Sequence, residues 1–125
     1  MPARSPVILL IGNDAALEYL IERYAERGGF AVLVHPIASA PPVGLEVKPA
    51  AVLFSSIENL EAAQSQIVLW TSAEIPLLVC SSVNDQLRAH ELGADHCLVH
   101  PLTYEGFLTA LTAVHISLAD LPRST

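Results

Sequence analysis

Basic residues are scarce in this 125-residue chain: six lysines and arginines stand against thirteen aspartates and glutamates, a formal net charge of -7. Nucleic acid and anionic lipid both bind through basic surfaces, so that balance argues against either as a partner. Arg4, Arg23, Arg27, Lys48, Arg88 and Arg123 are scattered rather than clustered. Cysteine is almost missing. Cys80 and Cys97 each sit in an apolar run without CxxC spacing, which reads as small buried hydrophobes in a reducing compartment. A redox pair stays open only if the two runs are neighbouring strands. No apolar run nears the roughly 20 residues that span a bilayer. The opening MPARSP has no signal-peptide core, because the apolar stretch Val7–Ile11 stops at Gly12. The cytoplasm is the expected location. Five histidines (His35, His90, His96, His100, His115) make no helical HxxxH pair. His96 and His100 flank a strand, where that spacing covers about 13 Å and cannot close on one ion. No metal site and no cofactor is expected.

What the chain does have is five short apolar runs: Val7–Ile11 (VILLI), 30–34 (FAVLV), 50–54 (AAVLF), 76–80 (PLLVC) and His96–Val99 (HCLV). Nearly continuous apolar blocks of this length are strands buried on both faces, which means a parallel sheet covered by helices. Between the first two, residues 14–27 repeat Leu17, Leu20, Ile21 and Tyr24 at helical spacing and stop at Gly28-Gly29. Glu18, Glu22, Glu26, Arg23 and Arg27 form that helix's solvated outer face, and Tyr19 and Tyr24 occupy positions consistent with packing. The crossover 36–48 holds Pro36, Pro41, Pro42 and Gly44, so the second helix is eroded to a loop with at most one turn. A helix over about 58–72 buries Leu60, Ala63, Ile67 and Trp70. Ser82-Val83-Asn84-Asp85 has the form of a capping box opening a helix that runs through Leu92 to Gly93. Thr103 caps a last helix whose inner face is Phe107, Leu108, Leu111 and Val114, with Tyr104 and Glu105 exposed at its start. The tail from Asp120 is expected to fray. Alternating strands and helices of these lengths form right-handed βαβ units and a doubly wound sheet. Such sheets carry their sites at the carboxyl ends of the strands.

The stretch 75–102, IPLLVCSSVNDQLRAHELGADHCLVHPL, together with KPAAVLFS at 48–55, resembles the receiver domain of bacterial two-component response regulators. The resemblance runs from Val7 to about Val114. It implies an α/β, flavodoxin-like fold with a five-stranded parallel sheet in the order 2-1-3-4-5 and helices on both faces. The expected organisation is one stand-alone receiver-like domain over residues 1–125, its core at about 7–117 and its termini frayed. Carried over residue by residue, the resemblance places Ser55 at the phosphoacceptor aspartate, or Ser56 after a slip of one. It places Gly12 and Asn13 at the acidic metal-binding pair, Ser81 at the hydroxyl that contacts the phosphoryl group, and His100 at the lysine before Pro101. Cys97 stands where the family has an aromatic switch residue. Asp14 and Ser82 complete this vestigial pocket.

The replacements remove the family's chemistry. An acyl phosphate needs a carboxylate nucleophile, and Ser55 offers a hydroxyl with no adjacent base. Phosphoryl transfer also needs a divalent ion, and magnesium is held through one or two carboxylates. Gly12 has no side chain, Asn13 offers a neutral amide, and Asp14 sits where it would cap a helix. His100 is only fractionally cationic near neutral pH. The expected protein is therefore a degenerate receiver-like domain, not an enzyme and with no catalytic residue. It would act in signal transduction by phosphorylation-independent protein–protein contacts. The family's partner face, its fourth helix, fifth strand and fifth helix, would here draw on Leu87, His90, Glu91, Cys97, Tyr104 and Leu108. The expected partner is a histidine kinase, another regulator or a second copy in a homodimer, with no nucleic acid and no membrane. Two alternatives stay open: a small-anion or metabolite-sensing module built on the vestigial pocket, and a phosphoacceptor or enzyme on the same scaffold, which fold alone does not exclude.

Overall fold

Each of the five apolar runs becomes a strand in the computed structural model, which describes residues 6–35, 49–100 and 102–113. β1 (Val7–Ile11), β2 (Ala31–His35), β3 (Ala51–Phe54), β4 (Leu77–Ser81) and β5 (His96–Val99) form one sheet, ordered β2-β1-β3-β4-β5. All four pairings are parallel, with Leu10 opposite Val34 on one side and Leu53 on the other. The helices are α1 (Ala15–Gly28), α2 (Ile57–Ala62), α3 (Gln64–Ser72), α4 (Gln86–Glu91) and α5 (Tyr104–Ala113). This is the doubly wound sheet that the alternation implied, in the flavodoxin-like strand order that the resemblance implied.

Alternate residues of the central strands feed two cores, as a period of two requires. On one face Ile8, Leu10, Leu53, Leu78 and Cys80 pack with Leu17 and Ile21 of α1 and Phe107 and Leu111 of α5. On the other, Leu9, Ile11, Val52, Phe54 and Val79 pack with Leu60 of α2, Trp70 of α3 and Ala89 of α4. Trp70 meets Phe54 edge-on, ring centroids 5.9 Å apart. Burial on both faces holds for β1, β3 and β4. The edge strand β2 departs from it, with Leu33 exposed.

Local chemistry fixes the ends of the helices. Asp14 caps α1, its Oδ1 accepting from Leu17 N at 3.1 Å. Gly29 (φ 89°) ends it in the left-handed conformation that favours glycine. Thr103 caps α5 by accepting from Gly106 N at 3.0 Å. Gly93 (φ 109°) closes the α4 turn, where Ala94 N donates to Ala89 O at 3.0 Å.

Four details differ from the sequence reading. The helix over 58–72 is two helices, broken at Ala63 (φ -95°, ψ 8°). There Gln64 Nε2 donates both to Leu60 O and to Leu92 O of the neighbouring α4 turn, supplying the donor that a broken turn needs. At the capping box, Ser82 Oγ donates to the Asp85 carboxylate at 3.0 Å instead of capping backbone, and a 3-10 turn (Val83–Asp85) precedes α4. Tyr19 is exposed rather than packed, with Arg23 Nη1 donating to its hydroxyl. Tyr104 is half-buried rather than exposed, because its ring meets Tyr24 at 5.7 Å and carries the Arg27 guanidinium 4.0 Å above it. The crossover 36–48, Pro101, Val114 and the tail lie outside the described residues. Among the described residues no helix is long and apolar enough to cross a membrane.

Candidate functional site

The carboxyl ends of β1, β3 and β4 bring the vestigial-pocket residues to one end of the sheet. Ser55 follows β3 directly and is buried, its N–H bonded to Ile11 O at 2.9 Å as the ladder runs out. Ser56 caps α2, accepting from Asn59 N at 3.2 Å. Asn59, one turn into that helix, turns its amide back over both serines. Nδ2 donates to Ser55 Oγ and to Ser56 Oγ, each at 2.9 Å. Both hydroxyls at the acceptor position are thus tied to one carboxamide.

Gly12 closes the same spot from β1. It is buried, its N–H donates to His35 O at 3.0 Å, and its φ of 151° is one that side-chain-bearing residues avoid. A Cβ at position 12 would collide with Ser55 Oγ and stand 2.6 Å from Ser55 Cβ and 3.2 Å from Asn59 Nδ2. The absence of a side chain at Gly12 is therefore a packing requirement of the Ser55–Asn59 contact. An acidic residue there and this serine cannot share the space as it stands.

Ser81, at the end of β4, is buried, and its hydroxyl has no conventional hydrogen-bond partner among the described residues. Its neighbour is the half-buried Cys97 thiol. Burial pushes that thiol above its ordinary value, and the Ser81 hydroxyl weakly opposes the push. Cys97 Sγ also leans toward Gln86 O, 4.0 Å away at the start of α4. The remaining predicted residues form an exposed rim. Asn13 and Asp14 are exposed, with Asp14 engaged as the α1 cap. Ser82 is exposed and bonded to Asp85. His100 is exposed, its backbone N–H on Ser81 O at 3.2 Å.

The residue that sequence reasoning missed is Asn59. Its signal was the spacing of Ser55, Ser56 and Asn59 across a helix start, where a side chain three or four residues on returns to the cap.

The six residues expected on a partner face separate into two groups. Leu87 (72% exposed), His90 and Glu91 stand out from α4, and Val83 just before it is 66% exposed. His90 Nδ1 lies 2.9 Å from Ala94 O. Cys97, Tyr104 and Leu108 are half-buried. Tyr104 faces α1, and Leu108 packs on the core beside Gly28, whose missing side chain makes room for it.

No protein-family model matches the chain, and no curated protein matches it in sequence. Solved structures do match in fold, among them receiver domains of response regulators. The chemotaxis protein CheY4 of Vibrio cholerae superposes with a TM-score of 0.71 at 15% identity, over 88% of this chain and 98% of that one. The non-phosphorylated HemR receiver domain from Leptospira biflexa gives 0.64 at 21% identity, over 96% and 98%. Full-length FixJ from B. japonicum gives 0.68 at 19% identity, over 90% of this chain but only 59% of FixJ. At these identities the likeness establishes the fold.

Proposed function

We propose that this chain is a degenerate receiver-like domain that signals through protein contacts and not through phosphate. One observation carries the reading. At the tip of β3, where the resemblance locates a phosphoacceptor carboxylate, a buried serine hydroxyl is held by Asn59 against a glycine that has no room for an acidic side chain. A hydroxyl that already accepts a hydrogen bond, with no base beside it and, among the described residues, no cluster of ligating side chains to hold a metal ion, is a poor nucleophile toward phosphorus. The chain is then not an enzyme, and it operates in the cytoplasm. Its partner, a histidine kinase or another regulator, is met on the exposed apolar side of α4, where Val83 and Leu87 stand clear of the core.

Incubation with acetyl phosphate or beryllofluoride and magnesium tests this directly. The expected result is no change in mass and no change in Trp70 emission; a magnesium-dependent adduct overturns the reading. The Ser81 hydroxyl, buried without a conventional partner, favours a second reading in which a small anion or metabolite is sensed at the sheet end. Ligand at a hundred times its dissociation constant would raise stability by about 2.7 kcal/mol. A thermal-shift screen with phosphate and acidic metabolites separates the two.

A further inference from the structure

The outer face of α3 is unlike that of every other described helix. α1, α2, α4 and α5 each carry glutamate, whereas the nine residues of α3, QSQIVLWTS, include no ionisable group. Its inner face is spoken for by Gln66 and Trp70, both buried. The opposite stripe, Ser65, Val68, Leu69 and Ser72, recurs at three- and four-residue spacing and faces solvent, with Val68 68% and Leu69 62% exposed. A solvated helix places charge on that stripe. Here two aliphatic side chains sit between two serines.

We infer that α3 is a self-association face, on which a second copy of this chain packs its own α3 about a two-fold axis. The argument for a second copy is electrostatic and geometric. A two-fold contact sets each patch against itself, so any charge near the axis meets the same charge from the other copy. With a formal charge of -7 per chain, copies repel one another, and the helices carrying glutamate add local repulsion. α3 is the one described helix with no ionisable residue along its whole length, so an axis over its exposed aliphatic stripe opposes no charge of that helix. The Glu61 carboxylate, just before it, is already paired with Arg88 of α4. Interface centres are depleted of charge and enriched in apolar contact, which is what Val68 and Leu69 supply. This contact leaves Val83 and Leu87 on α4 free for the partner proposed above, and does not depend on that partner.

Sedimentation equilibrium of the full chain, kept reduced, tests the inference. The average mass should rise with concentration from 13.4 kDa toward twice that value. Added salt should strengthen the association, because it screens net repulsion while an uncharged contact loses nothing. Val68→Glu and Leu69→Glu, both at exposed positions and expected to keep the native circular dichroism, should each weaken association about tenfold or more. Leu87→Glu should leave it unchanged. A single 13.4-kDa species at all concentrations, or a dimer indifferent to both α3 variants, overturns the inference. A dimer dissolved by Leu87→Glu also overturns it and assigns self-association to α4. A magnesium-dependent phosphoryl adduct would remove the proposed function and leave the α3 contact standing.

Discussion

Cys80 and Cys97 lie on adjacent, hydrogen-bonded strands and point to opposite sides of the sheet. Cys97 is registered against Val79, and Cys80 against Leu98, so the two thiols are one residue out of step. Cys80 packs into the core under α1 and α5, and Cys97 borders the core under α2, α3 and α4. Neighbouring strands were the condition on which a redox pair depended. The condition is met, and the pleat still forbids the bond, because side chains on opposite faces cannot bring their sulfurs together.

The expected outcome is two free thiols of very different accessibility. In native protein a thiol reagent should label Cys97 slowly and Cys80 only on unfolding. Mild oxidants should produce no intramolecular disulfide. Mass spectrometry of the native, oxidised chain showing a Cys80–Cys97 bridge would contradict the register.

Alkali should destabilise the fold partly through Cys80. Burial first, then the charges of Asp14 and Cys97, push its thiol from 9.0 up to about 12. Below pH 9 the thiol is protonated in both folded and unfolded chains, and this source of stability is fully present. Above pH 9 the unfolded chain releases the proton and the folded chain does not. The contribution is then lost by at most about 1.4 kcal/mol per pH unit until the folded value is passed. Urea midpoints of the native sequence should therefore fall with alkaline pH faster than those of Cys80→Ala.

Gly12→Ala should cost about 3 kcal/mol, since it combines a collision with Ser55 and an unfavourable φ. Adding Ser55→Gly should recover the part due to collision and leave the backbone part. If Gly12→Ala unfolds at the same denaturant concentration as the parent, the packing described at the β3 tip is wrong.

Asn59→Ala should destabilise by about 1–2 kcal/mol, because it leaves the buried Ser55 hydroxyl without its donor. The double variant with Ser55→Ala should cost less than the sum of the two single variants, since removing both partners removes the unpaired group. Strict additivity in that cycle would show that the two side chains do not interact.

The sheet was legible because its signal is physical and local. Runs such as VILLI and AAVLF read as doubly buried strands once helix-period segments separate them. Caps at Asp14 and Thr103 were readable for the same reason, a side-chain oxygen placed just ahead of free N–H groups. What escaped the sequence depends on partners distant along the chain. The break at Ala63 is supported by Gln64 reaching Leu92, 28 residues away. Tyr104 is drawn inward by Tyr24 and Arg27 of another helix, and the exposed state of Tyr19 follows from its position on the outer side of α1. At the site, position-by-position comparison identified Ser55 and Gly12 as departures. It could not reveal that each requires the other, because that constraint runs through Asn59.

The chain holds a single tryptophan, and its placement has a practical corollary. Trp70 is wedged beneath the outer stripe of α3 and edge-on to Phe54, the last residue of β3 before Ser55. One indole thus stands within a few side chains of both events that matter here, occupancy of the sheet end and contact on the helix surface. Quenching or a spectral shift can be followed without a dye, and the two causes separate by whether protein concentration or added ligand drives the change.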